Sequence, residues 1–296
     1  DDDIQRIIEG KQLELGDREL PPFDEYRIYK NIQEAVMREE KRKNRRIRMP
    51  LFFKWTVACA IVLLVIGVGY NFYQSHNEAN LVYREVCAVR GEKLLVLLPD
   101  GSRVWLNADS KLTYPEQFAK YNRNVTLEGE AYFEIAENKK SPFQVLAENV
   151  KIQVTGTCFN VKAYASDKVI KTTLDEGSIN IGHVQSRRPM QQMLPGQTAV
   201  YEKRSNVIKI KTDRYHDDAS SWKSNRLIFR NASLKEVLTT LSRHFDIEIT
   251  VKNEKIASFT YDFVCKGNDL NYVLEVMQSI TPVSFKKISE YTYTVE

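Results

Sequence analysis

The sequence EKLLVLLPDGSRVWLNA, residues 92–108, predicts two β-strands joined by a tight turn. Pro99 fixes φ at the place where a type I turn requires it, and Gly101 tolerates the positive φ that follows. Apolar and aromatic residues flank the turn on both sides, as is typical of strands that bury one face. We therefore expect a β-hairpin in this part of the chain.

The same pattern extends over residues 80–222, where apolar runs are broken by Gly, Pro, Asp or Asn about every ten residues. No helical period of useful length interrupts it. The further strand-like stretches are NVTLEGEAYFEIA, PFQVLA, VKIQVTGTCFNVKAY, KVIKTTLDEGSINIG and PGQTAVY. Many short strands of this kind predict an all-β domain, either a sandwich or a solenoid-like stack.

Residues 223–296 change to a strand–helix–strand pattern that occurs twice. Ser233 and Glu236 are spaced as a capping box at the start of the helix SLKEVLTTLSRHF. A second helix, DLNYVLEVMQSI, repeats its apolar positions at an offset of 36 residues. The strands around the two helices are RLIFR, DIEITV, SFTYDFVC, VSFKKI and YTYTV. The pattern predicts a small α/β domain of two βαβ repeats, with helices against a sheet.

Six blocks of residues 80–222 resemble, in order and spacing, the FecR family of membrane-bound sigma regulators. The blocks are LPDGSRVWLNADSKLTYPEQF, VTLEGEAYFEI, SPFQV, KIQVTGTCFNV, LDEGSINI and LPGQTAVY. The resemblance implies an all-β, solenoid-like domain in which the motif residues are mainly scaffold. These are Pro99, Asp100, Gly101, Trp105, Asn107, Gly129, Glu130, Phe133, Gly156, Thr157, Phe159, Asn160, Pro195 and Gly196.

Residues 51–73, LFFKWTVACAIVLLVIGVGYNFY, predict a single-pass membrane helix. No charged side chain occurs from Trp55 to Tyr73, and such a segment would span roughly 28 Å as a helix. Six of the eight residues in KRKNRRIR, 41–48, are basic, and no Lys or Arg follows the apolar segment before Arg84. The positive-inside rule then places residues 1–50 in the cytoplasm and everything after residue 74 outside.

The inside tail, residues 1–50, predicts one helix after Asp24 with an apolar stripe along it. The stripe consists of Tyr26, Tyr29, Ile32 and Val36. So few apolar groups cannot build a core alone, so the stripe predicts either a bound partner or packing on IQRIIEG or lipid. The resemblance implies that this partner is an extracytoplasmic-function sigma factor, on which the short tail folds if its start is complete.

The C-terminal repeat, residues 223–296, resembles the signalling domain of TonB-dependent receptors and secretins, and a similar module occurs in FecR-like proteins of Bacteroidetes. The resemblance implies an inner-membrane anti-sigma factor that senses such an outer-membrane receptor and regulates transcription of nutrient-uptake genes. In the family, signalling commonly runs through periplasmic and then intramembrane proteases. We expect the strand YTYTV to be a free edge that docks the receptor through Tyr291, Thr292 and Tyr293.

An alternative is a membrane-anchored glycan-binding or envelope-assembly module without sigma-factor binding. In that interpretation the aromatic side chains of Trp105, Tyr132 and Tyr164 would bind the glycan. A sigma-factor gene beside this one would favour the regulator.

Composition and motifs indicate no enzyme, cofactor, metal site or direct nucleic-acid binding. The net charge of +4 comes largely from the basic run, which is better explained by topology and lipid contact. No nucleophile, phosphate-binding or metal-binding motif surrounds the four His. Cys59 lies within the apolar segment, and the widely spaced Cys87, Cys158 and Cys265 allow a Cys87–Cys158 disulfide or three buried thiols.

The predicted topology can be tested with reporter fusions. A fusion after residue 40 should be active only if the reporter works in the cytoplasm, and a fusion after residue 85 only if it works in the periplasm, because the basic run stays inside. The opposite pattern of activities would contradict the predicted orientation.

Overall fold

The computed structural model describes residues 25–43, 56, 59–71, 82–118, 122–186 and 188–296. The chain divides into two compact units, Asp1–His76 and Asn77–Glu296. In the first unit, helix α1 (Glu25–Lys43) confirms the predicted tail helix, while its expected cap, Asp24, lies outside the described residues. Residues 59–71 are also helical.

The predicted membrane segment, residues 51–73, extends beyond the residues that the structure describes at both ends. Within the described residues, no helix is both long enough and apolar enough to cross a membrane. The membrane span therefore stays a prediction.

Among its described residues, thirteen strands form the first section of the second unit, which we call the β section. They are β1 (Tyr83–Ala88), β2 (Leu94–Leu97), β3 (Arg103–Leu106), β4 (Ser110–Pro115), β5 (Asn124–Glu134), β6 (Phe143–Ala147), β7 (Val150–Val154), β8 (Cys158–Ala163), β9 (Val169–Glu176), β10 (Ile179–His183), β11 (Gln191–Met193), β12 (Gln197–Glu202) and β13 (Val207–Thr212). The predicted turn joins β2 to β3, with Gly101 at φ +85°. The expectation of an all-β section is thus confirmed.

Strand β5 belongs to two sheets at once. Its first half pairs with β4 and β6, and its second half pairs with β3 and β8. The first sheet runs β1-β4-β5-β6-β7-β10-β11 and the second runs β2-β3-β5-β8-β9-β12-β13. Both sheets share β5 and enclose a single hydrophobic core, and the choice between a sandwich and a solenoid-like stack stays a prediction.

Gly129 lies where β5 passes from one sheet to the other. Its φ is +100°, and a Cβ at this position would lie 2.4 Å from the Oγ of Ser110. The next residue, Glu130, donates its backbone N–H to the same Oγ at 2.8 Å. Only glycine fits this close approach between β5 and β4.

Aromatic rings connect the two sheets across the core. Phe133 on β5 stacks on Phe159 of β8 at 4.9 Å between ring centroids, and it meets Phe143 of β6 edge-to-face at 6.3 Å. All three side chains are fully buried. Phe133 and Phe159 are motif residues, and core packing explains them as the sequence predicted.

A buried ion pair fixes the β2–β3 turn to the loop before β5. The guanidinium of Arg123 donates to Asp100 Oδ2 at 2.8 Å and also to the backbone carbonyls of Ser141 and Ala136. The side chains of Arg123 and Asp100 are only 2% and 7% exposed. Asp100 also accepts from both the backbone N–H and the hydroxyl of Ser102. Every charged group in this cluster therefore has partners, as burial requires.

The C-terminal module, residues 226–296, has its own hydrophobic core. Its elements are β14 (Arg226–Ser233), α2 (Leu234–Phe245), β15 (Glu248–Val251), a 3-10 helix (Glu254–Ser258), β16 (Thr260–Lys266), α3 (Leu270–Ile280), β17 (Phe285–Lys287) and β18 (Thr292–Val295). The Ser233 hydroxyl caps α2 by accepting from the N–H of Glu236. Of the predicted apolar faces, Leu234, Val237, Leu238 and Leu241 of α2 and Val273, Leu274 and Met277 of α3 are buried, Phe245 and Leu270 are half-buried, and Ile280 is 45% exposed.

Two expectations for this module are corrected by its strand pairing. The strands form a two-stranded antiparallel sheet, β14-β16, and a separate three-stranded sheet, β15-β18-β17, instead of one sheet. Strand β18 pairs with β15 on one side and β17 on the other. The strand YTYTV is therefore central and is not a free edge, because both rows of its backbone groups already have strand partners.

The buried ion pair generates a stability prediction. Asp100→Asn should lower the free energy of unfolding by about 3–5 kcal/mol, because it leaves the buried Arg123 charge without its counter-ion. Glu116→Gln is the matched control, since Glu116 pairs with Arg84 at 2.8 Å but is 43% exposed and should cost less than about 1 kcal/mol. Equal losses in denaturant unfolding of residues 77–296 would contradict this account.

Candidate functional site

The apolar stripe of α1 is exposed along its whole length. The four predicted sigma-binding residues, Tyr26, Tyr29, Ile32 and Val36, are between 53% and 80% exposed. Ile28 and Met37 widen the stripe and were not predicted. Glu34 and Arg38 form an ion pair on the opposite face at 3.5 Å. The helix thus offers one apolar face and one charged face, the arrangement by which a helix binds in a groove.

A second candidate site lies where the C-terminal module meets the outer face of the second sheet, and we call it the junction. At its centre, the buried Glu130 carboxylate accepts from the side-chain amides of Asn107 at 2.9 Å and Asn160 at 3.0 Å. Asn160 in turn accepts from the indole N–H of Trp222 at 3.1 Å. Three motif residues that are distant in sequence therefore form one network with a tryptophan that the sequence did not single out.

Trp222 belongs to a 3-10 helix, His216–Ser224, that connects the β section to the module. The helix buries the Trp222 ring against the second sheet. The backbone carbonyl of Trp222 accepts from the Lys93 ammonium at 2.7 Å. Burial lowers the pKa of Lys93 at this position.

Arg243, near the end of α2, forms the second contact across the junction. Its guanidinium lies 3.5 Å from the centre of the Tyr164 ring and donates to Ser166 Oγ and Asp167 Oδ1 at 2.7 and 2.9 Å. Its backbone carbonyl accepts from the N–H of Gly91 at 2.8 Å. Arg243 is itself buried, so the module is held by desolvated, directional contacts.

The three aromatic residues proposed for glycan binding have covered faces. The Lys223 ammonium lies 3.4 Å from the Tyr132 ring centre and 4.8 Å from that of Trp105, while Arg243 covers Tyr164. Tyr132 and Tyr164 are also buried. A sugar ring needs an open aromatic face to stack on, so these residues do not form a glycan platform.

A half-buried carboxylate, Asp175, lies beside this aromatic group. Asp175 Oδ2 accepts from the Tyr132 hydroxyl at 3.0 Å, and Oδ1 lies 3.9 Å from Nδ1 of His216. Burial raises the pKa of Asp175, partly offset by the Tyr132 hydrogen bond. The described residues contain no cluster of His, Cys, Asp and Glu that could hold a metal ion.

Residues 85–180 match the family model described as FecR protein, and residues 226–295 match the one described as FecR, C-terminal. The chain belongs to the FecR family. Two crystal structures of a candidate anti-sigma factor from Parabacteroides distasonis ATCC 8503 are similar to it, each with a TM-score of 0.66 and 26% sequence identity. Each comparison covers 72% of this chain and 98% of the other. No curated protein matches.

Membership of the FecR family and these structural relatives support a role as an anti-sigma factor or sigma regulator. Such a regulator has a sigma factor as its partner. The matched share of this chain, 72%, is similar in length to residues 77–296, the unit that contains both hydrophobic cores.

The remaining motif residues of this FecR chain are distributed over turns. The Thr157 hydroxyl donates to the Ser178 carbonyl at 3.0 Å, next to Gly156. The backbone N–H of Gly196, after Pro195, donates to the Leu174 carbonyl at 2.9 Å. Their contacts fit the predicted scaffold role.

The three predicted receptor-docking residues differ in exposure. Tyr291 is 59% exposed, Thr292 is half-buried, and Tyr293 is buried. Tyr291 and Tyr293 therefore do not present a shared surface, which corrects the expectation of one exposed strand face.

The cysteines agree with neither alternative that the sequence left open. Cys87 and Cys158 are free, and only Cys265 among the three is buried. Burial raises the pKa of the Cys265 thiol, which makes that thiol a poor nucleophile.

The junction network generates a prediction with a pH signature. Asn160→Asp keeps the shape of the side chain but replaces the amide that donates to Glu130 with a second buried carboxylate. The free energy of unfolding at pH 7 should therefore fall by about 3–5 kcal/mol. Two carboxylates that share a site have raised pKa values. The folded variant then binds more protons than the unfolded chain above pH 4. The stability that the variant loses relative to the unaltered chain should therefore become smaller as the pH falls towards 5.

Asn180→Asp is the matched control, because Asn180 is an exposed strand residue and its substitution should change stability by less than about 0.5 kcal/mol. Denaturant unfolding of both variants at pH 7 and pH 5 measures the difference. A deficit of Asn160→Asp that does not depend on pH would show that the two carboxylates do not interact.

Proposed function

We propose that this FecR chain is an inner-membrane anti-sigma factor that binds an extracytoplasmic-function sigma factor through α1. The observation that carries the proposal is the exposed apolar face of α1 in a chain of a sigma-regulator family. Six large apolar side chains on one helix, at 46–80% exposure, form a surface that a partner groove would remove from water.

The proposed position of the chain has the N-terminus in the cytoplasm and residues 82–296 in the periplasm. The uncharged segment from Trp55 to Tyr73 and the basic run 41–48 support this orientation. It would place α1 in the cytoplasm, beside the transcription machinery. It would place the β section and the C-terminal module in the periplasm, where an outer-membrane receptor is accessible.

The proposed periplasmic partner is the signalling domain of a TonB-dependent receptor, with nutrient-uptake genes as the target. The support is the resemblance of the C-terminal module to such domains. Of the predicted docking residues, the exposed Tyr291 is the one available for contact, beside Ile288, which is 60% exposed. Cleavage by periplasmic and intramembrane proteases would then release the tail with its sigma factor.

The sigma-binding proposal can be tested at Ile32. Ile32→Asp should reduce sigma-factor capture by the tail at least about 100-fold, because it buries a charge in an apolar contact. The measurement is binding of the purified sigma factor to residues 1–50, with circular dichroism to compare helix content.

Glu34→Lys is the control on the opposite face, where it reverses a charge that pairs with the exposed Arg38. This variant should retain affinity within about threefold, since exposed pairs contribute less than about 1 kcal/mol. Similar affinities for the two variants would exclude the stripe as the binding face.

A further inference from the structure

A cleft of about 390 Å³ opens between the second sheet and the C-terminal module, beside the junction network. Its floor is the outer face of the sheet at β8, β9 and β12, and its far wall is β14. Hydroxyls of Thr173 and Thr198 line the floor and lie 3.0 Å apart. The volume is within the range of sites for small ligands.

Basic residues outnumber acidic residues around the cleft. Six Lys and Arg and four Asp and Glu line it. Two of the acidic residues already have partners. Asp218 pairs with Arg230 at 3.1 Å, and Glu130 accepts from two amides in the junction network. Asp213 accepts from the Thr198 hydroxyl. Among the described residues, Lys162, Lys211 and Arg226 have no carboxylate within ion-pair distance.

Two lysines stand opposite each other on the floor. Lys162 of β8 and Lys171 of β9 are register partners, which places their Cβ atoms about 5 Å apart on the same face. Like charges in this position destabilise a sheet. Glu236 reaches only to 3.9 Å from the Lys171 ammonium, and Glu130, the register neighbour of Lys162 on the other side, is bound to Asn107 and Asn160.

We propose that this cleft binds a small molecule that carries carboxylate or phosphate groups. The facing ammonium groups of Lys162 and Lys171 would hold the anion, Arg226 on the opposite wall would add a fork of donors, and the threonine hydroxyls would bind neighbouring polar atoms. Because floor and wall belong to different sections, the ligand would stabilise the module against the sheet. This site is independent of sigma-factor binding.

The test is thermal unfolding of the full chain in detergent, followed by tryptophan fluorescence. Inorganic phosphate and citrate are the probes, with chloride at equal ionic strength as the reference. At saturating probe, we expect at least one of them to raise Tm by about 5 °C above the chloride value. A response to phosphate alone or to citrate alone identifies which anionic group the cleft prefers.

Lys162→Gln should weaken the response at least tenfold in apparent affinity, and Arg226→Gln should do so from the other wall. Lys151→Gln is the matched control, because Lys151 is also a half-buried strand lysine but lies on β7, in the other sheet. It should respond like the unaltered chain. The proposal is overturned if neither probe exceeds chloride, if Lys162→Gln responds normally, or if Lys151→Gln loses the response equally.

Discussion

The double pairing of β5 is the constraint on which the rest of residues 82–296 depends. Eleven residues, Asn124–Glu134, supply edges to both sheets, and the strand must turn sharply between its two halves. The turn is possible because Gly129 allows the backbone of β5 to approach Ser110 within a distance that any Cβ would fill. Without it, the sheets could not close over their common core.

The same bend positions the junction. Glu130 follows Gly129 directly and points to the outer face of the second sheet, where its carboxylate receives two amide donors. A buried carboxylate without such donors would destabilise the fold by several kcal/mol. Asn160 in turn accepts a hydrogen bond from the Trp222 indole N–H. One short segment of β5 therefore determines both how the sheets close and where the C-terminal module attaches.

The region therefore combines two apolar cores with a polar junction between them. Each core stabilises its own section, whereas the junction relies on directional bonds around Glu130 and Arg243. Polar interfaces of this kind are where sections of a chain move relative to each other at the lowest cost. The junction and its cleft are therefore the part of this region best suited to change.

The sequence by itself determined the local elements. Alternation of apolar residues predicted most strands of the β section, the period of 3.6 predicted α1, α2 and α3, and the Pro99–Gly101 turn was placed correctly. These features depend on residues close in sequence, which share one turn or one strand. The motif order also indicated the family, because its glycines and prolines mark turns at fixed spacings.

Only the tertiary structure decided which elements become neighbours. Arg123 lies in the polar stretch YNRNV and gave no signal, because its partner Asp100 lies 23 residues earlier. The aromatic strand YTYTV is compatible with an edge or a centre, and its pairing with β15 and β17 made it central. Strand pairing, burial and ion pairs of this kind depend on residues that meet only after the chain has folded. They therefore cannot be predicted from the local sequence pattern.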